Sequence, residues 1–304
     1  MLCVAHRAVG STLLFLGAVA AAYRHFAQGM ALYDPQQHRV YAFLHGDDAG
    51  VICHSYAAWT LWYLGYPAQG LTQRHEAVTL AQQLTHPFSL GWVLSAAAIF
   101  HQFRREACGA QECAEAVLSL ATAQGFTQWR AYGAMLRGWA LMHQGQAQEG
   151  LTQLTEGLTA QRATGAAILR PYFLTLLVEA YGTLGQPEAG LTVLAEALPL
   201  ADKTGARWHE PELHRLKGDL LLHQSSDNAT EAESCFQHAL EIARKQQAKS
   251  FELRAVTSLA QLWHQQGRRQ EAYDLLAPVY NWFTEGFDTA DLQEAKVLLE
   301  KLGA

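Results

Sequence analysis

The sequence predicts an all-α fold in which about seven helix pairs stack side by side into a right-handed α-solenoid that ends in a capping helix. Three observations predict it: glycines recur at intervals of about forty residues, small residues occupy the positions where helices would cross, and the last segment is amphipathic. Because each pair would pack only on its neighbours, the 304 residues are predicted to form a single repeat domain.

Glycines that would end helices recur along the chain. Gly125, Gly165 and Gly205 are spaced forty residues apart, and each follows the end of a helical pattern. Glycine adopts the left-handed conformation that closes a helix without a steric penalty, so this series predicts recurring helix ends. A second series predicts the turns inside the pairs: Gly17, Gly65, Gly145, Gly185 and Gly267.

Small residues recur where two helices would pack closely. In the second helices they come as pairs seven residues apart, such as Gly150 with Gly157 and Gly190 with Ala197, which places them on one helical face. The first helices carry one small residue about seven positions before the turn, and Val178 is the one larger side chain there. These positions are Gly10, Ala58, Ala96, Gly138, Val178, Gly218 and Ala260.

This template resembles the tetratricopeptide repeat superfamily, with units of about forty residues instead of the usual 34. The units begin near residues 4, 51, 88, 128, 168, 209 and 250, and a capping helix is predicted over residues 288–302. The proline that usually follows the second helix is mostly absent. Residues 225–230 are expected to form a polar surface loop with a helix cap, and residues 33–38 a turn after the first pair.

The N-terminal residues 1–22 allow two interpretations. Arg7, followed by an apolar stretch and small residues, mimics a signal peptide. Gly10 and Gly17 recur at matching places in later units, which favours the first helix pair of the repeat array. The apolar stretch is shorter than the roughly 20 residues that span a bilayer, so no membrane segment is expected.

The net charge of the chain argues against two classes of partner, and its cysteines indicate the cellular compartment. The formal net charge is −6, and no run is rich in lysine or arginine, which argues against nucleic acid or an anionic membrane surface as partners. The five cysteines form no CxxC pair, which is typical of a reduced protein in the cytoplasm. Cys108 and Cys113 are five residues apart and are expected to be small packing residues.

Six longer strings extend the comparison beyond the generic repeat. They are ALYDPQQHR at 31–39, LWYLGYP at 61–67, HPFS at 86–89, QFRRE at 102–106, LKGDLLL at 216–222 and PVYNWFTEGFDTADL at 278–292. Together they resemble the C-terminal tetratricopeptide region of bacterial class III adenylate/guanylate cyclase-like proteins, which join a cyclase domain, a signalling ATPase module and this helical region. The resemblance spans nearly the whole chain, and it implies that the chain corresponds to the helical part without the cyclase activity.

The sequence contains no pattern that predicts catalysis or a bound cofactor. It lacks a G-x-x-x-x-G-K-[ST] phosphate loop and a G-x-S-x-G nucleophile elbow. The cluster from His209 to His214 lacks the HExxH spacing, and His45, Cys53 and His54 lack the spacing of a known metal site. We therefore predict a chain that is not an enzyme, with no catalytic residue, no cofactor and no metal.

The predicted partner-binding surface is a groove formed by the first helices. In tetratricopeptide arrays these helices line the concave side, so side chains that flank the small residue on one face point into the groove. This rule predicts an aromatic and methionine stretch early and a charged stretch late, unless several of these side chains pack between the helices instead. The groove residues are Trp59, Trp62, Tyr132, Met135, Trp139, Tyr172, Glu179, Arg215, Asp219, Arg254 and Gln261.

The function predicted first is a non-catalytic interaction and regulatory module that binds a protein, a peptide or a neighbouring domain in this groove. The resemblance implies that this partner belongs to a bacterial cyclase or ATPase signalling system. The alternative is a small-molecule-sensing solenoid, which the aromatic stretch around Trp59 and Trp139 motivates. A homo-oligomer is compatible with either function.

Overall fold

The computed structural model of the chain describes residues 2–36, 42 and 46–303. Within these residues it is all-α, with fifteen α-helices and no strand, and the predicted fold class is confirmed. The helices form two compact units. The first comprises Met1–Trp62 and Pro67–Arg170, and the second comprises Tyr63–Tyr66 and Pro171–Ala304. The single continuous repeat domain expected from the sequence stays a prediction.

The first unit is built from helices that follow one another in pairs. Three residues separate the two helices within each pair. The helices are α1 (Leu2–Phe15), α2 (Val19–Ala31), α3 (Ala49–Tyr63), α4 (Pro67–Leu84), α5 (Pro87–Phe103), α6 (Ala107–Gln124), α7 (Thr127–His143) and α8 (Ala147–Ala163).

The second unit continues the same pattern and ends in the capping helix. Its helices are α9 (Arg170–Thr183), α10 (Pro187–Thr204), α11 (Glu210–Gln224), α12 (Ala229–Gln246), α13 (Lys249–Gln265), α14 (Arg269–Tyr280) and α15 (Ala290–Gly303). The apolar face of α15, which includes Leu292, Leu298 and Leu302, is buried against the core of the last pair, as an open repeat end requires.

Positive φ angles mark the helix ends that the glycines predict. Gly125, Gly165 and Gly205 have φ of 70, 74 and 70°, and the five glycines inside the pairs have φ between 65 and 89°. Three helix ends use other residues in the same left-handed region, namely Thr85, Arg105 and Gln247. No glycine marks these ends in the sequence, which is why the glycine series has gaps there.

The crossing of α7 and α8 in the first unit depends on two glycines. A Cβ atom built on Gly138 of α7 would lie 2.7 Å from the carbonyl oxygen of Gly150 in α8. One built on Gly150 would lie 2.5 Å from the carbonyl oxygen of Gly138, closer than real Cβ contacts come. The two backbones therefore touch directly, and the small residues at the crossing are a requirement of the packing.

Three local predictions concern the first helix pair, the polar loop at residues 225–230 and the turn after α2. Residues 2–31 form the first helix pair, in which a Cβ on Gly10 would meet the Phe26 ring at 2.6 Å. The predicted polar loop at residues 225–230 contains the 3₁₀ helix Ser226–Asn228, where the Ser225 hydroxyl accepts a hydrogen bond from the Asp227 N–H at 3.1 Å. After α2, Pro35 is already helical, and part of the predicted turn, with Gln37 and His38, lies outside the described residues.

Of the two cysteines predicted to be packing residues, Cys113 is buried and Cys108 is not. Cys3, Cys53, Cys113 and Cys235 are buried free thiols, but Cys108 is exposed, so its assignment as a packing residue is wrong. The reason is its position on α6, whose buried face is formed by residues 110, 113, 114, 117 and 121. Within the described ranges, no helix is long and apolar enough to cross a membrane.

Candidate functional site

The aromatic part of the predicted groove is packed inside the first unit. Trp59, Trp62, Tyr132, Met135 and Trp139 are each at most 2% exposed. The Trp59 indole donates to the carbonyl oxygen of residue 96 at 3.0 Å, and the Trp62 ring stacks on the ring of residue 103 at 5.0 Å. In this structure the five side chains fill the space between helices and offer almost no surface to a partner.

The burial of these aromatic rings also removes the observation that motivated small-molecule sensing. A crevice between α3, α4 and α5, lined by Ser55, Arg74 and Ala96 among others, has no room for a water molecule. Neither feature of the first unit therefore favours a small-molecule site.

The charged part of the predicted groove lies in the second unit, where it remains partly accessible. Glu179 of α9, and Arg215 and Asp219 of α11, are half-buried, whereas Gln261 of α13 is exposed. Tyr172 of α9 is fully buried. We call Glu179, Arg215, Asp219 and Gln261 the polar strip, because they lie on three successive first helices.

An ion-pair network anchors the polar strip to the core. Glu212 receives two hydrogen bonds from Arg215, at 2.7 and 3.0 Å, and a longer one from Arg254 of α13 at 3.4 Å. Arg254 also donates to Asp291 of the capping helix at 2.9 Å. The network therefore links α11, α13 and α15 through side chains that are mostly buried.

Charge pairing inside the network shifts the protonation equilibria of its members. Burial raises the pKa of Glu212, but the guanidinium groups of Arg215 and Arg254 outweigh burial and lower that pKa to about 2. Burial alone would lower the pKa of Arg215, yet the carboxylates of Glu212 and Asp219 raise it well above its ordinary value. Glu212 is therefore ionised at neutral pH and holds two cations, the buried Arg254 and the half-buried Arg215.

Asp219 is the most open carboxylate bonded to the network. One of its oxygens accepts a hydrogen bond from Arg215 at 2.5 Å, and its side chain is 33% exposed. Burial raises the pKa of Asp219 above the usual value although Arg215 opposes this, and the nearby carboxylate of Glu212 adds to it. Arg215 also bonds to Glu212, and the carboxylate of Glu179 acts electrostatically on Arg215. Two of the four strip residues are therefore carboxylates and one is an arginine.

No protein-family model and no curated protein matches the chain significantly. Solved structures of low identity do. A Rap protein complexed with competence and sporulation factor is 12% identical and has a TM-score of 0.66, over 99% of this chain and 80% of that one. Aspartyl phosphate phosphatase F from Bacillus subtilis is 13% identical, with a TM-score of 0.57 over 90% and 67%. Yeast Tom70 is 14% identical, with a TM-score of 0.54 over 93% and 60%.

The fold is that of tetratricopeptide-like helical repeat proteins. At these identities the likeness concerns the fold alone.

The histidine cluster that the sequence singled out is part of the structure beneath the strip. His209 is fully buried, and its Nδ1 lies 3.1 Å from the hydroxyl of Tyr63. His214 packs edge-on against His238, with ring centroids 4.4 Å apart. Among the described residues no group of three or more His, Cys, Asp or Glu is placed to hold a metal, and His45 lies outside them.

Sequence reasoning missed Glu212, Asp291 and Tyr63 as neighbours of the site. One signal was available, since Glu212, Arg215 and Asp219 are spaced three and four residues apart, which places them on one face of α11. Nothing local indicates the contacts of Asp291 and Tyr63, because their partners are far away in sequence.

We expect the contribution of His209 to stability to depend on pH. Burial lowers the pKa of His209 from 6.5 to about 3, with Arg254 and Arg215 acting in the same direction and Glu212 opposing them. Below pH 6.5 the His209 imidazole binds a proton in the unfolded chain but stays neutral in the folded protein. The free energy of unfolding therefore falls as the pH falls from 6.5 towards 3.

The variant His209→Gln lacks this proton uptake, so any stability advantage of the wild type at pH 7 should shrink below pH 6.5. The expected slope approaches about 1.4 kcal/mol per pH unit. Urea unfolding of both proteins at pH 7, 6 and 5 measures the difference. A stability difference that is the same at all three pH values would contradict the assignment of a neutral, buried imidazole.

Proposed function

We propose that the chain is a non-catalytic interaction module that binds a cationic segment of a partner protein on the polar strip. The observation that carries the proposal is the partly exposed Asp219, which shares its arginine with Glu212 and lies with Glu179 on adjacent first helices. A lysine or arginine of a partner would be attracted to the partly exposed carboxylate of Asp219. A protein of similar fold is complexed with competence and sporulation factor, which is consistent with a binding role.

The partly buried setting strengthens such a contact. Asp219 and Arg215 are held in position by the network, so little side-chain entropy is lost when a partner binds. Binding that depends on this charge should weaken as salt rises, because the outer part of the strip remains open to solvent.

A photo-crosslinking residue placed at Gln261 tests the proposal. Gln261 is exposed on α13, next to Ser258, which accepts from Arg215 at 3.4 Å. We expect a partner to be captured at Gln261, and its recovery to fall at least about tenfold in the Asp219→Lys variant, because like charges would then face each other. The milder Asp219→Asn variant should reduce recovery less.

The matched control lies on the second helix α12 of the same unit. Glu241 has an 80% exposed side chain, and the Glu241→Lys variant changes the net charge by the same amount as Asp219→Lys. A partner that is captured equally well in both lysine variants, with folding verified by circular dichroism, would refute binding at the polar strip.

We further propose that the partner is a cyclase-like or ATPase signalling protein of a bacterium, acting in the cytoplasm. The six sequence strings support this part of the proposal. Mass spectrometry of the crosslinked partner tests it: a partner with a class III cyclase domain or a P-loop ATPase module is expected. A captured partner of another class would refute this assignment while leaving the polar strip as the binding site.

A further inference from the structure

A second cluster of titratable side chains lies in the first unit and has no part in the function proposed above. We call it the Cys113 cluster. Arg74 is on α4, His101 near the end of α5, Arg104 and Glu106 in the turn that follows, and Cys113 on α6. The turn between α5 and α6 therefore brings the Glu106 carboxylate and the His101 imidazole close to the Cys113 thiol. The guanidinium of Arg74 comes from the preceding helix pair.

The imidazole of His101 is oriented by a carboxylate. Its Nδ1 lies 2.6 Å from an oxygen of Glu106, and the other oxygen of Glu106 accepts from Arg104 at 2.7 Å. With Nδ1–H donating to Glu106, the second ring nitrogen is available as a base, and the imidazole acts electrostatically on the Cys113 thiol. A thiol, an imidazole and a carboxylate in this sequence form the arrangement that activates nucleophilic cysteines.

Glycine at position 109 makes room for this imidazole. A Cβ atom on Gly109 of α6 would lie 2.7 Å from Nδ1 of His101 and 2.9 Å from its Cε1. The ring packs directly on the α6 backbone, so any larger residue at position 109 would displace it.

Arg74 provides a cation for the thiol. Its Nη2 donates to the sulfur of Cys113 at 3.3 Å. Within the described residues Arg74 has no carboxylate partner, and its Nε is buried without a hydrogen bond. A guanidinium group that faces a sulfur instead of a carboxylate stabilises the thiolate over the thiol.

Electrostatics at Cys113 agree with this geometry. Burial raises the pKa of the Cys113 thiol, but the interaction with the His101 imidazole and the charge of Arg74 outweigh burial and bring that pKa below its ordinary value. The pKa of His101 is raised: burial opposes this, and the contacts with Cys113 and Glu106 bring it about.

We propose that Cys113 is a modification site at which a thiolate, flanked by Arg74 and the His101–Glu106 pair, exchanges with small disulfides that carry a carboxylate. Cys113 is 8% exposed, which restricts the reaction to small reagents. The carboxylate is required because Arg74 loses its anionic partner once the sulfur is bonded.

The exchange needs no other oxidant than the disulfide itself. The Cys113 thiolate attacks one sulfur of the small disulfide, a new S–S bond forms, and the old S–S bond breaks. The departing thiolate carries away the electron pair and takes the proton of the His101 imidazolium. The products are a mixed disulfide on Cys113, one small thiol and a neutral imidazole, and a reducing thiol reverses the step.

The test compares the full-length wild type with the variants Arg74→Gln and His101→Gln. Each protein is treated with 3,3′-dithiodipropionate, which carries two carboxylates, or with cystamine, which is similar in size and carries two ammonium groups, between pH 5.5 and 9. Site-resolved mass spectrometry follows Cys113, and the exposed Cys108 on the same helix reports any general change in reactivity. Circular dichroism verifies that each variant is folded.

We expect 3,3′-dithiodipropionate to modify Cys113 several-fold faster than cystamine does. The pH midpoint of the Cys113 rate should rise by at least about one unit in each variant, which is a tenfold loss of rate at pH 6.5, while the rate at Cys108 stays the same. A Cys113 that resists both disulfides, or a midpoint that neither variant moves, would overturn the reactive thiolate. A preference for cystamine would overturn the ligand class.

Discussion

Replacing Glu212 with glutamine is expected to lower the free energy of unfolding by about 3–5 kcal/mol. Glu212 is 2% exposed and is bonded to both Arg215 and Arg254. The amide keeps the shape of the side chain but removes its charge, so two guanidinium groups would stay buried with less negative charge around them. The loss comes mainly from holding the two cations in the network with one carboxylate fewer to balance their charge.

Denaturant unfolding at pH 7 measures this change, with Glu271→Gln as the matched control. Glu271 also pairs with an arginine, Arg268, at 2.8 Å. This pair lies at the start of α14, and the side chains of Arg268 and Glu271 are 33% and 59% exposed. We expect the control to unfold almost as the wild type does, because exposed ion pairs contribute little. Equal midpoints for Glu212→Gln and the wild type would mean that the network does not hold α11, α13 and α15 together.

Replacing Gly138 with alanine is expected to destabilise the protein by about 3 kcal/mol, although alanine is the better helix former. The new Cβ would lie 2.7 Å from the carbonyl oxygen of Gly150 and 3.0 Å from the backbone nitrogen of Leu154. Backbone atoms cannot rotate away as side chains do, so α7 and α8 would have to separate.

Gly182→Ala provides a control with the opposite expected sign. Gly182 lies in α9, and the nearest atom to a Cβ placed there is the Leu220 Cδ2 at 3.5 Å, an ordinary contact. This substitution should leave the melting temperature unchanged or raise it, because the unfolded chain loses conformational freedom. If thermal unfolding shifted in the same direction for both alanine variants, the close approach at Gly138 would not be limiting.

The repeat could be predicted because its signals are local. A glycine at a helix end, such as Gly125 with φ of 70°, reflects the steric limits of its own backbone, whatever packs nearby. The gaps in the pattern are equally local: Gln247 has φ of 57° without being glycine, and its helix end carries no glycine signal. The helix pairs themselves therefore follow from the residue spacing.

The candidate site could be predicted only in part, because the burial of a side chain depends on helix pairs that are distant in sequence. Trp59 lies on the predicted face of its helix, yet its indole bonds to the carbonyl oxygen of Ala96, 37 residues away. Arg215 and Asp219 are four residues apart on one helix, so their pairing was accessible from spacing. The bond between Arg254 and Asp291 joins two separate elements and required the structure.

The hydrogen bond between Tyr63 and His209 spans 146 residues of chain. Tyr63 also packs edge-on against Phe251 of α13, with ring centroids 5.0 Å apart. The surroundings of Tyr63 therefore include residues from two later helix pairs. During synthesis from the N-terminal end, the ribosome releases this tyrosine long before either partner exists. Its ring therefore lacks both contacts until Phe251 has emerged, and the packing around Tyr63 is completed only after that point.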